Sequence, residues 1–203
     1  MSKGLKQTVR TSVNKLKTLG SVRYEDIGPH QHPGDLLQAI LDIERASWKH
    51  EAGSAITCRP EQERFYRNFF ESNLGSGLIQ GLLMYLDETP VAYNLGLVRA
   101  GYYSCLKHSN RQEHQGLSPN QVLNIVLIER LRLQGLTMYD YMGEVEPHKM
   151  RWSPETRTYL RTPTLIFSRS PCGVASHCLL RLKQWSRARL GRRAAAAFDD
   201  NAA

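Results

Sequence analysis

The sequence predicts an α+β fold in which a meander of antiparallel strands is flanked by helices. Three observations predict it. Residues 78–108 turn from helical to twofold periodicity and break at DETP and RAG, which reads as three consecutive strands joined by short hairpin turns. Stretches with apolar residues three and four apart lie on either side, at 35–50, 60–74 and 118–134. The chain has 203 residues, 41% apolar and 23% charged, enough to bury a core around such a sheet as one domain with appendages.

The elements follow in order. Residues 3–19 read as a basic helix with Leu5, Val9, Val13 and Leu16 on one side, and Gly20 as its stop. SVRYEDI at 21–27 alternates like a strand, and GPHQHPGD is a turn-rich link. Asp35 is placed to cap a helix running to His50, whose broad apolar face holds Leu36, Leu37, Ile40, Leu41, Ile43 and Trp48. Glu44 and Trp48, four apart, share that side. A helix over 60–74 turns Phe65, Phe69 and Phe70 inward. The three strands come next, then a polar loop, SNRQEHQG. Ser118 and Pro119 suit the N-cap and first position of a helix with the stripe Val122, Leu123, Val126, Leu127 and Leu131, ended by Gly135. TMYDYM is a fifth strand, EPHKMRW a turn or short helix, TYLRTPTLIFS a last strand, and 174–193 a basic helix. The expected division is a basic helix or linker over 1–20, the domain proper over 21–168, a basic helix over 169–193 and a disordered tail over 194–203. No internal repeat is present.

The net charge of +8 sits at the ends. Residues 1–23 hold six basic residues and 169–193 hold seven, with no acid in either. The middle carries 14 basic and 17 acidic residues. Basic ends suit an anionic membrane surface, a phosphorylated ligand or, less well, nucleic acid; they equally suit solvated amphipathic helices. Cys58, Cys105, Cys172 and Cys178 are scattered, and the Cys172–Cys178 spacing beside His177 matches no common zinc site, so no metal is expected. Few cysteines and no secretory signal point to a reducing, cytoplasmic setting, with the basic ends allowing a place at the inner membrane face. No apolar run approaches the ~20 residues a membrane helix needs.

Two places carry chemistry. The loop entering the helix at Ser118 presents Gly116, Leu117, Ser118 and Asn120 where free N–H groups and the helix dipole meet an anion. A well-capped helix with no ligand accounts for the same residues. The second place is GLTMYDYMGEVEPHKMRW, residues 135–152. On its strand Tyr139 and Tyr141 share one face and Asp140 takes the other. A buried Asp140 needs a partner, and Lys149 or Arg151 is near enough in sequence to be one. That pair either shapes a substrate cleft or only fixes a loop.

Four segments then resemble a known family: IERASWK at 43–49, DETPVAYNLGL at 87–97, LSPNQVLNIVLIERLRLQG at 117–135 and YDYMGEVEPHKMRW at 139–152. They are similar to the acetyltransferase-like domain of the cellulose-biosynthesis (CelD/BcsL) type in the GNAT superfamily, itself related to the FemAB transferases. Glu44, Ser47, Trp48, Lys49, Ser118, Pro119, Asp140, Gly143, Lys149 and Trp152 match the family series. Asn120 stands where the family usually has glycine, and His148 where a tyrosine usually precedes the lysine. Members are usually about twice as long, so the resemblance implies the C-terminal half of such a protein, with a missing N-terminal GNAT-like half or a second copy as partner.

The resemblance implies a GNAT-like fold with a central mixed, mostly antiparallel sheet. It implies acyl transfer from acetyl-CoA or another acyl-CoA to an amine or hydroxyl of a sugar, lipid or polysaccharide precursor. It places Glu44, Asp140, Tyr141 and Lys149 in catalysis, Gly116, Leu117, Ser118 and Asn120 on the cofactor, and Trp48, Lys49, Tyr139, Gly143 and Trp152 on the substrate. Glu44 is equally a surface acid paired with Arg45 or Lys49, the tyrosines equally strand packing, and the tryptophans equally core. A FemAB-like transfer from aminoacyl-tRNA and a non-catalytic module that docks on a partner are the competing functions.

Overall fold

A computed structural model describes residues 2–153 and, towards the C-terminus, residues 170, 172, 174, 175 and 178–181. The chain divides into two compact units, Met1–Thr156 and Arg157–Ala203. In the second unit residues 172, 174, 175 and 178–181 are helical, with the exposed thiols of Cys172 and Cys178 among them. The last strand expected over 158–168, most of the basic helix and the tail over 194–203 lie outside the described residues.

The first unit is built on five strands in chain order: β1 Val22–Ile27, β2 Ile79–Leu86, β3 Thr89–Arg99, β4 Tyr102–Asn110 and β5 Met138–Asp140. The first four form an antiparallel meander, and β5 joins β4 in parallel. The helices are α1 Lys3–Leu19, α2 Pro33–Arg45, α3 Trp48–Glu51, α4 Pro60–Asn73, α5 Pro119–Leu133 and α6 Pro147–Met150. A parallel neighbour demands a crossover, and α5 supplies it between β4 and β5. The turn between β3 and β4 places Ala100 and Gly101 at φ 51° and 80°, the paired left-handed backbone of a tight hairpin that only glycine enters without cost.

Alternation along the strands sorts the core into two faces. Leu83, Tyr93 and Leu95 face α2 and α4, with Leu36, Leu37, Ile40 and Phe70. Leu82, Met84, Ala92, Tyr103 and Cys105 face α1 and α5, with Leu5, Leu16, Val122, Leu123 and Leu127. The helix set apart as a linker over 1–20 is thus part of the core: Leu5, Val9 and Leu16 are buried, and its N-terminus is tied to α6 by Ser2 N–H donating to Arg151 O at 2.9 Å.

Four local expectations change. The helix expected over 35–50 breaks at Ala46, because Ser47 turns its hydroxyl back onto Glu44 O at 2.8 Å and competes with the helical ladder. His32 rather than Asp35 caps its start. Trp48 therefore leaves the face of Glu44: Trp48 is 50% exposed and Glu44 is 0% exposed. In α4, Phe70 is buried, whereas Phe65 lies outside, stacked on Phe69 at 5.6 Å. Ser118 sits at φ 49° and its side chain makes no capping bond.

Candidate active site

Adjacent residues of β3 open the two halves of the site. Tyr93 points to the α2 face and donates to Glu44 Oε1 at 2.7 Å. Glu44 Oε2 accepts the Ile56 N–H at 2.9 Å. Lys107, on β4, brings its ammonium to 3.5 Å from Oε2, and Lys49, on α3, to 4.0 Å from Oε1. Burial holds the Tyr93 hydroxyl well above its usual pKa, and the Glu44 carboxylate adds to it. Burial likewise lowers Lys49 to about 8; Glu44 opposes that and Lys107 reinforces it.

Asn94 points the other way. Its amide Nδ2 donates to Asn124 Oδ1 at 2.6 Å and to Tyr139 Oη at 2.8 Å, and its Oδ1 accepts Tyr103 Oη at 2.7 Å and the Cys105 thiol at 3.6 Å. Gly96 makes this possible: a Cβ there would stand 2.3 Å from the Tyr103 ring. The rings continue outward from Tyr103 to Tyr139 at 4.9 Å, Tyr141 at 4.6 Å and Trp152 at 6.0 Å. The Tyr141 hydroxyl is buried and without a partner among the described residues, and burial raises its pKa. Cys105 is also raised by burial. His108, whose Nδ1 is 3.6 Å from the Cys105 sulfur, is lowered to about 4 by burial first and by the cations of Lys49, His148, Lys149 and Lys107 second.

Between the halves runs a strand edge that is open among the described residues. Among them β5 pairs only with Tyr102, Tyr103 and Ser104, whereas β4 continues to Asn110. Arg111 N donates to Val91 O and Ser109 stands opposite Tyr93. Antiparallel alternation then directs the N–H and C=O of His108 and Asn110 away from β3, towards the side β5 has left. Lys49 Nζ already donates to the outward His108 O. The loop beyond β4 is pinned by Gln112 N to Ala46 O at 2.7 Å and by Arg111 Nε to Pro90 O at 2.8 Å. Gly116, Leu117, Ser118 and Asn120 lie where it meets α5, and Asn120 Nδ2 donates to Asn110 Oδ1 at 2.7 Å, linking the helix start to the strand end.

The other expected residues sort by contact. Tyr139 and Tyr141 share a face against Tyr103 and Trp152. Asp140 and Lys149 do not pair with each other. Asp140 Oδ1 accepts the Met142 N–H at 2.7 Å, while Lys149 Nζ donates to Met142 O and Glu144 O and meets Glu146 at 3.0 Å. Both hold one turn, in which Met142 and Gly143 have φ 53° and 71°. Trp48 is exposed and outside this arrangement. Sequence reading missed Tyr93, Asn94, Lys107, His108 and Ser109. Their signal is there, as polar residues inside the otherwise apolar strand runs VAYNLGL and CLKHS. Among the described residues no group of three or more His, Cys, Asp or Glu could hold a metal ion, and no helix is long and apolar enough to cross a membrane.

Residues 3–150 match the family model of the acetyltransferase (GNAT) domain. Among solved structures the chain is similar to a GCN5-related N-acetyltransferase from Ralstonia eutropha JMP134, at 18% identity and a TM-score of 0.53, over 71% of this chain and 99% of that one. It is also similar to an aminoglycoside acetyltransferase from an uncultured soil metagenomic sample, at 12% identity and a TM-score of 0.50, over 73% and 99%. At such identities the likeness carries the fold alone. No curated protein matches the chain.

Proposed function

This chain belongs to the family of GNAT acetyltransferase domains, and from that membership we propose that it transfers an acyl group from acyl-CoA to an amine or hydroxyl. The observation that carries the reading is the edge of β4, which among the described residues runs on past β5 and turns the backbone of His108 and Asn110 away from β3 beside the start of α5. An extended acyl-pantetheine arm is a strand-like partner for such an edge, and the helix start suits its phosphates. The bound donor supplies an activated thioester; the protein supplies position and polarity. In this reading Asn110 and His108 orient the arm. Gly116, Leu117, Ser118 and Asn120 line its phosphate end, with the Asn120 amide placed at the mouth.

Tyr141, kept protonated by burial and lacking a partner among the described residues, gives its hydroxyl proton to the departing sulfur, and the proton that the attacking amine or hydroxyl releases returns through solvent to the Tyr141 oxygen. Both Glu44 oxygens are engaged, so we assign Glu44 to positioning Lys49 and Lys107 rather than to taking a proton from the acceptor. Asp140 and Lys149 position the Met142–Gly143 turn. Within the family, the Ser47-Trp48-Lys49 and Tyr139-to-Trp152 series supports a place near the cellulose-biosynthesis type, and with it a sugar, lipid or polysaccharide precursor as acceptor.

Titration with acetyl-CoA tests the reading by thermal unfolding. Saturating ligand stabilises the native state by about 2.7 kcal/mol at a hundred times Kd, a rise of several degrees in the midpoint. Absence of any shift at millimolar acetyl-CoA overturns it.

A further inference from the structure

The α2 face holds more cation than it uses. Lys49 and Lys107 together carry six ammonium hydrogens, yet among the described residues they form one hydrogen bond to protein, from Lys49 to His108 O. Both flank the single carboxylate of Glu44, at 4.0 and 3.5 Å, and its oxygens already accept Tyr93 Oη and Ile56 N–H. Two ammonium groups therefore face one carboxylate, with side chains only 18% and 16% exposed. A surplus buried cation is costly unless an anion meets it. Ser109 adds a second observation. It lies opposite Tyr93 and two residues from Lys107, on the same face, is 2% exposed, and its hydroxyl has no partner among the described residues.

We infer that Lys49, Lys107 and Ser109 form an oxyanion subsite for the acceptor, so that the molecule acylated carries a carboxylate or phosphate beside its reacting amine or hydroxyl. The inference rests on the proposed acyl transfer, because Lys49 ends at the outward carbonyl of β4 where the acyl group would lie. It is separate from the phosphate end of the donor, since α2 and α5 cover opposite faces of the sheet.

Calorimetric titration with sodium phosphate and, separately, sodium acetate, at constant ionic strength balanced with chloride, tests this on the full chain. Wild type binds at least one of the two saturably, and the preferred one names the oxyanion. Lys107→Met weakens that Kd at least tenfold, and Lys107→Arg retains it. Glu44→Gln removes the competing carboxylate and, titrated at pH 6 so that Lys49 stays an ammonium after Glu44 no longer raises it, tightens it severalfold; this opposite sign decides the matter should Lys107→Met not fold. No saturable binding by wild type, or equal Kd in wild type, Lys107→Met and Glu44→Gln, overturns the subsite. Acetyl-CoA is titrated alongside. If it binds while both oxyanions are ignored, the subsite is wrong and acyl transfer stands; if it fails to bind, acyl transfer itself is wrong.

Discussion

Tyr93 and Asn94 are neighbours in one strand, and they build opposite kinds of buried polar cluster. On the α5 side Asn94 meets its amide hydrogens and its carbonyl with Asn124, Tyr139, Tyr103 and Cys105. Every member there is neutral and engaged, which makes the cluster a rigid core element. On the α2 side the acceptors are satisfied and the donors are not, because two ammonium groups surround a carboxylate whose oxygens are already taken. A closed neutral network specifies structure; a cationic one with spare donors has capacity for a ligand. The difference marks the Asn94 cluster as a part that holds the fold and, in the proposed reading, leaves the Glu44 cluster the spare donors for a ligand.

The largest break of this comparison is Glu44→Leu. It strands two ammonium groups, the Tyr93 hydroxyl and the Ile56 N–H, and is expected to cost roughly 3–5 kcal/mol in denaturant unfolding. Asn94→Leu is expected to cost about 2–3 kcal/mol, because its lost partners are uncharged and Tyr139 can turn to water. A larger loss for Asn94→Leu than for Glu44→Leu would reverse the ranking of the two faces.

Acid sharpens the comparison from the edge between them. His108 is lowered from 6.5 to about 4, so the unfolded chain takes up its proton first as pH falls. The stability tied to neutral His108 is full above pH 6.5 and is lost as pH falls from 6.5 through 4. In His108→Gln the slope of unfolding free energy against pH over that window should flatten. An unchanged slope would place the acid sensitivity elsewhere.

Much of the fold was legible because it rests on periodicity. The meander at 78–108, the stripe on α5 and the short strand at 138–140 are local patterns, and each formed where its pattern lies. The break at Ala46 was not legible, since an apolar stripe reads straight through it and only the hydroxyl of Ser47 ends the helix. The helix expected over 1–20 formed, and what its sequence hid was the packing. Basic residues dominate that segment, while four apolar positions decide its packing. In the site, Glu44 and Lys49 were visible through short motifs near in sequence. Lys107 and Ser109 were not, because nothing local shows that a lysine 63 residues beyond Glu44 stands over it; the register of β3 against β4 does that. A pairing of Asp140 with Lys149 or Arg151 rested on nearness in sequence alone, and Asp140 and Lys149 hold backbone groups of the Met142–Glu144 turn instead.

The smallest effect separates the faces most cleanly. Lys49 titrates near 8 in the folded chain against an ordinary value of 10.5. As pH rises, the native state therefore gives up this proton before the unfolded state does. Between about 8 and 10.5 the unfolded chain binds more protons, so Lys49 contributes stability that grows with pH across that window. Its causes predict the response to substitution. Glu44 raises the value, so Glu44→Gln should move the Lys49 titration below 8; Lys107 lowers it, so Lys107→Met should move it up. From the Asn94 cluster only Cys105 acts on Lys49, as the smallest of its causes, and Asn94→Ala should move the titration far less than Glu44→Gln does. The Lys49 side-chain carbon shift followed by NMR through pH 7–11 reads all three. A Lys49 titration that moves with Asn94→Ala as far as with Glu44→Gln would mean that the two faces are one coupled network, and the division of labour between them would fail.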